Sequence, residues 1–472
     1  MLKSVINLIS KSIVLFFLIL PFSMQIFAQE NTLELYVKEG LVNNLALQQK
    51  KTSYKKSFEA LKEAKALFFP DISLNARYTV AGGGRMISFP VGDMLNGVYS
   101  SLNALTSIHQ LSDPATGKPI NFPQMENMDF RFYRPFEHET KIRLIQPIFN
   151  QQINYNSKIK AELINVEKAD LETFKRSLVA EIKIAYYNYL KTVKLKELLN
   201  ETEILLVENI RVNEKLFEND KITIDYVYRS KSELSKFEQQ IAETDKAYNM
   251  AMAYFNFLLN RDLRSEIDIS EQGEVLMNYA DIKSSEENAI NKREELDGIK
   301  SYNKIASNNI ILNKSNRLPT LSAAIDYGFQ GEKYRFRGDD DFVMASMVLK
   351  WNLFKAYGNK AKISSAELDK IMIEKKQKET ETQIKLQVIN SFYDLETAAK
   401  LIESSAQQEI AAEMAFKLVN RKYTEGLTSL LEFIDARTSL TNSSINLIIS
   451  NYDYLIKYAE YEKVTAMYVI NE

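Results

Sequence analysis

The sequence predicts a mainly α-helical protein that also contains two pairs of β-strands, organised as two similar halves. Long stretches of the chain lack glycine and proline, which is typical of long helices. Four short segments alternate between apolar and polar residues, which is typical of strands with one apolar face. The same order of segments occurs twice, which indicates an internal duplication.

The first 28 residues are predicted to be a secretory signal peptide. Lys3 and Lys11 precede an apolar core at 12–22, and Ala28 lies at a plausible cleavage position. This core is shorter than the ~20 residues that cross a bilayer as a helix, which disfavours an uncleaved anchor. Export of a chain without cysteine fits the periplasm or outer membrane of a bacterium.

Charge balance and rare residue types exclude several classes of function. Among 472 residues, 60 are basic and 62 are acidic, so a polybasic nucleic-acid binder is excluded. Cysteine is absent, and the two histidines, His109 and His138, are too few to predict a histidine-based metal site or a catalytic triad. We therefore expect no cofactor, no metal and no catalytic residue.

Each half is expected to contain one long helix. Neither glycine nor proline occurs at 148–272, and Gly426 is the only residue of either type after position 358. A continuous helix over 154–216 would extend roughly 95 Å, which exceeds a compact globular domain. Apolar residues at heptad spacing predict that these helices pack lengthwise. The predicted seams are Leu195, Leu198, Leu205, Val212 and Leu216 in the first helix, and Val388, Phe392, Leu395, Ala399, Ile402 and Ala406 in the second.

Each half is also expected to contain two strands. Alternating segments follow Pro70 and Pro319, and the second strands are predicted at 138–148 and 342–353. Strands of about ten residues are long enough to cross an outer membrane when tilted. Residues 81–136 hold six glycines and five prolines, so they are predicted to be an irregular loop at the cell-surface end of the strands.

The two halves are predicted to be structural repeats. Pro, Ser and Tyr occur at identical spacing in 70–78 and in 319–327, which lie 249 residues apart. The first repeat is predicted at 29–270 and the second at 271–472. Each would contain a helix, a strand, a connection, a second strand, a long helix and a final helix.

Four strands cannot close a membrane barrel, because bacterial barrels have about 8 or more. Two, three or four copies of the chain would supply about 8, 12 or 16 strands, and a dimer would leave an interior filled by side chains. A channel therefore favours at least three copies. A cylinder of strands that continues into a tube of helices would act as a conduit.

Six segments of the chain carry a resemblance to a known family, and they lie at 33–35, 60–70, 185–190, 293–296, 318–319 and 423–437. In their order and spacing they resemble the TolC-like outer-membrane efflux proteins over essentially the whole mature chain. The resemblance implies a homotrimer, with a twelve-stranded β-barrel in the outer membrane that continues as an α-helical barrel in the periplasm. It also implies two partners, a periplasmic adaptor protein and an inner-membrane transporter.

The resemblance further implies a pore constriction at the periplasmic end of the helices. Glu432 and Asp435 occupy positions where the family often has acidic residues around the constriction, and Tyr423 matches an aromatic residue that helps to hold the inner helix closed. Thr428 stands where some members have an arginine, and Asp225 lies one residue out of register with the corresponding acid in the first half. Closure is therefore expected to use a different set of bonds.

Simpler interpretations of these residues stay open. Glu432 and Asp435 also fit a solvated helix face, and Tyr423 also fits ordinary packing. Trp351, at the end of a predicted strand, fits either an aromatic belt at the membrane interface or burial in a core. The run Asp339 to Asp341 fits a charged hairpin tip better than a cation site.

The sequence as a whole predicts a passive outer-membrane channel of a tripartite efflux pump or type I secretion system. It would export small molecules or proteins, and its strands would contact outer-membrane lipid. The alternative is a periplasmic coiled-coil scaffold without a pore, which leaves the strands without a purpose. An exported hydrolase is disfavoured, because the carboxylates are spread along helices rather than gathered near a pocket. No enzymatic activity and no nucleic-acid partner are expected.

Overall fold

The computed structural model describes residues 32–269 and 281–468. The predicted signal peptide lies outside these residues. The helices, labelled in chain order, are α1 (Thr32–Asn43), α2 (Leu45–Ala66), α3 (Val91–Ile108), α4 (Gln151–Glu218), α5 (Ile224–Leu259), α6 (Ile282–Lys292), α7 (Glu294–Ser315), α8 (Gly358–Thr424) and α9 (Leu430–Thr465). The strands are β1 (Asp71–Val80), β2 (Met86–Phe89), β3 (Met128–Arg131), β4 (Phe136–Phe149), β5 (Thr320–Gly331) and β6 (Asp341–Lys350).

The mainly helical fold with a small set of long strands is confirmed. Helices α4 and α8 contain 68 and 67 residues, so each extends roughly 100 Å at ~1.5 Å per residue. The first helix is interrupted at Asn44, whose side chain accepts a hydrogen bond from the Leu47 backbone at 2.9 Å and donates to the Leu258 carbonyl at 2.8 Å. That cap starts α2 separately from α1.

The described residues divide into two compact units. We call one the helical unit, which takes its residues from Met1–Ser57, Glu162–Asn303 and Ile371–Glu472. The other is the strand unit, which comprises Phe58–Ala161 and Lys304–Lys370. Both units contain segments from both predicted repeats, so a sequence repeat is not a compact unit. The division into repeats at 29–270 and 271–472 stays a prediction.

The strand unit contains a four-stranded antiparallel sheet in the order β1-β4-β5-β6. Strands β4 and β5, one from each half of the chain, pair in the centre. Strands β1 and β6 form the two edges and have a sheet partner on one side only. Because the side chains of a strand alternate between faces, this register assigns every residue of the sheet to one of two faces.

One face of the sheet is apolar and exposed. Leu74 and Val343, which are 72% and 73% exposed, belong to this face on the two edge strands. Ile142 and Ile325 belong to it on the central strands and are also exposed. The predicted apolar face of the strands is therefore present and largely exposed, and Tyr334 and Phe336 of the β5–β6 connection cover its end at His138.

The opposite face of the sheet is polar on β1, β4 and β5 and carries ion pairs that cross these three strands. Arg143 lies directly opposite Asp326 and holds it through two hydrogen bonds of 2.7 and 2.6 Å. Lys141 lies 3.7 Å from the same carboxylate and also pairs with Glu139, which contacts Arg77 of β1 at 3.3 Å. These side chains satisfy one another and fix the register of β1, β4 and β5.

The last strand is shorter than the sequence predicts. We expected a strand over 342–353, but β6 ends at Lys350, which pairs with the first residue of β5, Thr320. No partner strand continues beyond that point, so Trp351 follows the strand instead of ending it. Its indole nitrogen donates to the Arg317 carbonyl at 2.9 Å, and the ring is 56% exposed. Burial of Trp351 in a core is therefore wrong.

The prediction of an irregular loop at 81–136 is also wrong for much of that segment. It contains α3 and a two-stranded ladder formed by β2 and β3. The side chains of Asn96 and Asn103 each pair with the backbone of the returning chain through two hydrogen bonds, to Met125 and Phe122, at 2.7–2.9 Å. The glycines and prolines mark the ends of these elements, and they concealed the elements from a composition-based prediction.

In the helical unit, the seam of α4 is shifted by one residue from the predicted one. Leu199, Leu206 and Asn213 are buried seven residues apart, whereas Leu205 is 57% exposed. The sequence has leucine pairs at 198–199 and 205–206, so hydrophobicity alone fits either register. In α8 the predicted seam residues Val388 and Leu395 are fully buried, and Ser391 and Ala398 are buried beside them.

An aromatic core holds the first helices of the helical unit together. Tyr186 and Phe255 are fully buried, and the Phe255 ring meets Tyr36 edge to face at 5.1 Å between centroids. Side chains of this size contribute about 1.5–3 kcal/mol each when buried. Within residues 32–269 and 281–468, no helix combines the length and apolar character needed to cross a membrane.

Replacing Gly328 with alanine is expected to destabilise the sheet. A Cβ atom at this position would lie 2.4 Å from the Thr140 carbonyl oxygen and 2.7 Å from the Lys141 Cα, so the backbone of β4 must move. Overpacking of this kind costs about 1–3 kcal/mol. We expect a lower melting temperature of the detergent-solubilised protein by scanning fluorimetry. Gly338→Ala, where a Cβ meets nothing within 4 Å, is the control. Equal melting temperatures would contradict this account.

Candidate functional site

The candidate site lies at two turns of the helical unit, where α4 leads into α5 and α8 leads into α9. The two turns have the same backbone form. Asp220 and Gly426 adopt positive φ values of 55° and 74°, and each donates its backbone N–H to the carbonyl of the residue three positions earlier. This left-handed residue ends each long helix, and glycine adopts it without steric cost.

Tyr423 is the centre of a buried polar cluster that includes Asn209, Asn213 and Ser230. We call these four residues the turn network. The Tyr423 hydroxyl donates to Asn213 Oδ1 at 2.7 Å, and Asn213 Nδ2 donates to Ser230 Oγ at 2.7 Å and to Asn209 Oδ1 at 3.1 Å. The network therefore connects α4, α5 and α8. Burial raises the pKa of Tyr423, so the phenol stays neutral and able to donate.

Two further contacts extend the network to α9. The Tyr423 ring stacks on Phe433 with 4.6 Å between centroids. Arg437 of α9 is buried, lies 3.6 Å from Glu233 of α5 and stands over the Phe237 ring at 6.0 Å. Burial lowers the pKa of Arg437, and Glu233 opposes that change. All four helices that meet at the turns are thus joined by specific contacts.

Glu432 acts first as part of a helix cap. Ser429 precedes α9, and its hydroxyl accepts a hydrogen bond from the Glu432 backbone at 3.3 Å. The Glu432 carboxylate accepts a hydrogen bond from the Thr428 hydroxyl. Serine followed by glutamate three positions later is a capping box. Thr428 and Glu432 are therefore brought together by the structure, with Thr428 half-buried and Glu432 exposed.

The other two predicted site residues differ in their surroundings. Asp435 lies one turn after Glu432 on α9, is exposed and makes no ion pair with a described residue. Asp225 is in the first turn of α5, accepts a hydrogen bond from the Thr223 hydroxyl and lies 3.9 Å from Arg229. The α5 turn is therefore locally neutralised, whereas the α9 turn exposes two carboxylates.

The sequence did not identify the polar partners of Tyr423. Asn213 and Ser230 are 0% and 3% exposed, and Asn209 lies on the same seam of α4. Polar residues at heptad core positions were the available signal, because a buried amide in such a seam needs a partner. Among the described residues, no group of three or more His, Cys, Asp or Glu side chains is placed to hold a metal ion.

The second half of the chain is similar to a known protein family. Residues 286–465 match the family model described as outer membrane efflux protein. This match spans α6 to α9, including the second turn with Tyr423, Glu432 and Asp435. The resemblance to the TolC-like outer-membrane efflux proteins is confirmed. No curated protein matches the chain.

Solved structures extend the similarity in fold across nearly the whole chain. The outer-membrane channel OprN is 14% identical, with a TM-score of 0.71 over 93% of this chain and 90% of that one. The CmeC outer membrane channel of Campylobacter jejuni is 13% identical, with a TM-score of 0.73 over 92% and 85%. The outer membrane protein VceC of Vibrio cholerae is 13% identical, with a TM-score of 0.68 over 92% and 95%. The outer-membrane efflux fold thus includes both the strand unit and the helical unit.

Replacing Tyr423 with phenylalanine is expected to loosen the turns of this efflux fold. The change keeps the stack on Phe433 but leaves the buried Asn213 Oδ1 without its donor, at a cost of about 1–3 kcal/mol. We expect higher single-channel conductance or more frequent opening in planar bilayers. Tyr393→Phe, on an exposed position of α8, is the matched control. If the two variants give the same bilayer recordings, the Tyr423 side chain contributes through packing alone.

Proposed function

We propose that this protein is the outer-membrane channel of a tripartite efflux pump or type I secretion system. Its four-stranded sheets would combine in a homotrimer to form a twelve-stranded barrel in the outer membrane, and its helices would form a tube in the periplasm. Such a channel is a passive conduit, and its chemistry is that of a pore lining rather than of an enzyme. The family resemblance and the shared fold support this assignment.

The observation that carries the proposal is the sheet with two open edges and one exposed apolar face. The strands alternate in direction from β1 to β6, so β6 of one copy can pair antiparallel with β1 of the next. Backbone groups at an open edge cost several kcal/mol each in lipid, which only closure avoids. The apolar face would contact lipid, and the face with the Arg143–Asp326 pair would line the lumen.

The exposed apolar face also argues against the periplasmic scaffold. A scaffold in water would leave the side chains of Leu74, Val343 and their neighbours in contact with solvent. Trp351 stands beside this face at the end where the strands connect to helices, which suits an aromatic belt at the membrane interface.

At the helical turns, Glu432 and Asp435 are the proposed pore constriction. Three copies would place up to six carboxylates around a narrow opening, and Thr428 orients one carboxylate of each copy. Like charges about 6 Å apart repel by about 3 kcal/mol at an effective dielectric of about 20. Such a ring therefore needs rigid support, and the turn network with Tyr423 supplies it. Asp225, paired with Arg229, adds little net charge.

The proposed partners follow from the family. A channel of this kind would receive its cargo from an inner-membrane transporter through a periplasmic adaptor protein. The cargo would be small molecules or proteins, and the outer-membrane lipid would surround the strands. The chain has near-neutral net charge and offers no basis for a nucleic-acid partner.

The trimer is tested by crosslinking across the proposed edge contact. The chain has no cysteine, so introduced cysteines are the only thiols. We expect Ala76→Cys on β1, combined in turn with cysteine at 343, 345 or 347 on β6, to give covalent trimers in oxidised membranes. Within one chain, two strands separate these edges by roughly 14 Å, too far for a disulfide.

The single variant Ala76→Cys is the control for this experiment, and it should give no covalent trimer. Native mass spectrometry should give the mass of three chains for the unmodified protein in detergent. A folded monomer in the membrane would contradict the proposed channel.

The constriction is tested by the double change Glu432→Ala with Asp435→Ala. We expect the unmodified channel to be cation-selective and sensitive to trivalent cations, because the carboxylates attract and bind them. The double variant should lose much of this selectivity and sensitivity in planar bilayers. Glu403→Ala with Glu413→Ala removes the same charge from exposed positions of α8 and is the control. If the selectivity is unchanged in an intact trimer, Glu432 and Asp435 do not form the constriction and instead lie on a solvated helix face.

A further inference from the structure

The hairpin between β5 and β6 carries three cations that the proposed channel does not use. Lys333, Arg335 and Arg337 alternate along it with Tyr334 and Phe336, and all five side chains are exposed. None of the three cations forms an ion pair with a residue in the described part of the chain. We call residues 333–337 the basic hairpin, and the acidic residues Glu332, Asp339 and Asp340 flank it.

The two aromatic side chains show which face of the sheet the basic hairpin lies against. The Tyr334 ring stands 4.6 Å from His138 and 6.5 Å from Tyr78, between centroids. Its hydroxyl lies 3.1 Å from Thr140 Oγ1. His138 and Thr140 alternate in phase with Ile142, so they belong to the apolar face of the sheet.

Phe336 also lies against the apolar face of the sheet. Its ring meets Phe329 edge to face at 5.1 Å, and Phe329 alternates in phase with Ile325 on the apolar face. His138 is fully buried beneath these rings, and neither of its ring nitrogens has a hydrogen-bond partner among the described residues. The basic hairpin therefore folds over the lipid side of the sheet and not over the lumen side.

The height of the basic hairpin along the strands follows from chain connectivity. Strands β5 and β6 join α7 and α8 at Thr320 and Lys350, and the basic hairpin connects their opposite ends. With the helices in the periplasm, that opposite end lies at the cell surface. The three cations then stand beside the outer end of the apolar band, where acyl chains meet lipid head groups.

We propose that the basic hairpin binds the phosphate groups of a phosphate-bearing lipid in the outer leaflet, with the acyl chains along the apolar face. Arginine presents a planar fork of donors that matches phosphate, and lysine adds a further point charge. Tyr334 and Phe336 hold these cations beside the acyl chains. This inference rests on the proposed function, because it needs the sheet to be in an outer membrane.

A soluble anion is a poorer fit than a lipid. The rings that position the cations rest on the face that contacts lipid, so a bound phosphate would have apolar surface directly below it. The aspartates that follow continue into the strand, since Asp341 pairs with Phe329 and the Asp340 backbone accepts a hydrogen bond from Gln330 at 2.9 Å. Asp340 and Asp341 therefore mark the end of the proposed phosphate site on the β6 side.

The experiment measures lipid binding to the purified trimer by native mass spectrometry, with lipid A as the probe. Diphosphorylated lipid A is compared with its dephosphorylated form, and inorganic phosphate is tested separately. The key variant is Lys333→Gln, Arg335→Gln, Arg337→Gln. The control variant, Lys355→Gln, Lys360→Gln, Lys362→Gln, removes three exposed lysines near the other end of β6.

We expect the unmodified trimer and the control variant to bind the diphosphorylated lipid, and the key variant to bind it on the order of 100-fold more weakly. Tyr334→Ala with Phe336→Ala keeps all three cations and should also weaken binding, because the hairpin loses its anchors. Equal binding of the dephosphorylated lipid, binding of inorganic phosphate in preference to the lipid, or equal loss in the control variant would overturn the proposal.

These outcomes are distinguishable from failure of the channel itself. A protein that forms no trimer contradicts the proposed function. An intact trimer that inserts into membranes without any preference for the phosphorylated lipid overturns only the inference about the basic hairpin.

Discussion

The need to pair every backbone hydrogen-bonding group in lipid is the constraint on which this molecule depends. The four-stranded sheet leaves the outer edges of β1 and β6 without partners and leaves one face apolar and exposed. The open edges are unfavourable for a single chain in lipid, and the exposed apolar face is unfavourable in water. The sheet of one chain therefore has unpaired edges, and the proposed association of several copies would supply the missing hydrogen bonds. The ion pairs on the opposite face can then line a polar interior.

The two helical turns show how duplication can keep a backbone and change its chemistry. Asp220 and Gly426 end α4 and α8 with the same hydrogen-bond pattern. Beyond them, Asp225 and Arg229 are in contact in the first half. In the second half Glu432 and Asp435 are exposed, and the nearby Arg437 is buried and lies beside Glu233 instead. The two turns therefore have the same backbone geometry. Among the described residues, the second turn therefore has two exposed carboxylates without an ion pair, and the first turn has an Asp–Arg pair.

The fold was largely predictable because its signals are local and repeated. The absence of glycine and proline identified the long helices, and the alternation after Pro70 and Pro319 identified strands of the correct length. The exact seam of α4 was not predictable, because leucine pairs fit two registers and only contact with neighbouring helices selects one. The end of β6 depends on where β5 begins, which is likewise information from a partner and not from the strand itself.

The candidate site was predictable only in part for the same reason. Tyr423, Glu432 and Asp435 lie in one continuous segment, so a family pattern identifies them together. Asn213 and Ser230 are distant from that segment in the chain and became visible only once α4, α5 and α8 were in contact. The side chains of Asn96 and Asn103 in α3 bond to the backbone at 122–125, which is distant in the sequence. Such hydrogen bonds leave no periodic pattern in the sequence.

The charges at the centre of the sheet make the two halves of the chain complementary rather than interchangeable. Position 77 of the first half corresponds to position 326 of the second, and these positions hold arginine and aspartate. Because Asp326 faces Arg143, an ion pair attracts β4 of the first half to β5 of the second half. A chain built from two copies of the first half would put an arginine there, opposite Arg143 and beside Lys141. A sheet built only from copies of the first half would meet that repulsion at every junction between copies, so the two halves cannot replace one another at this junction.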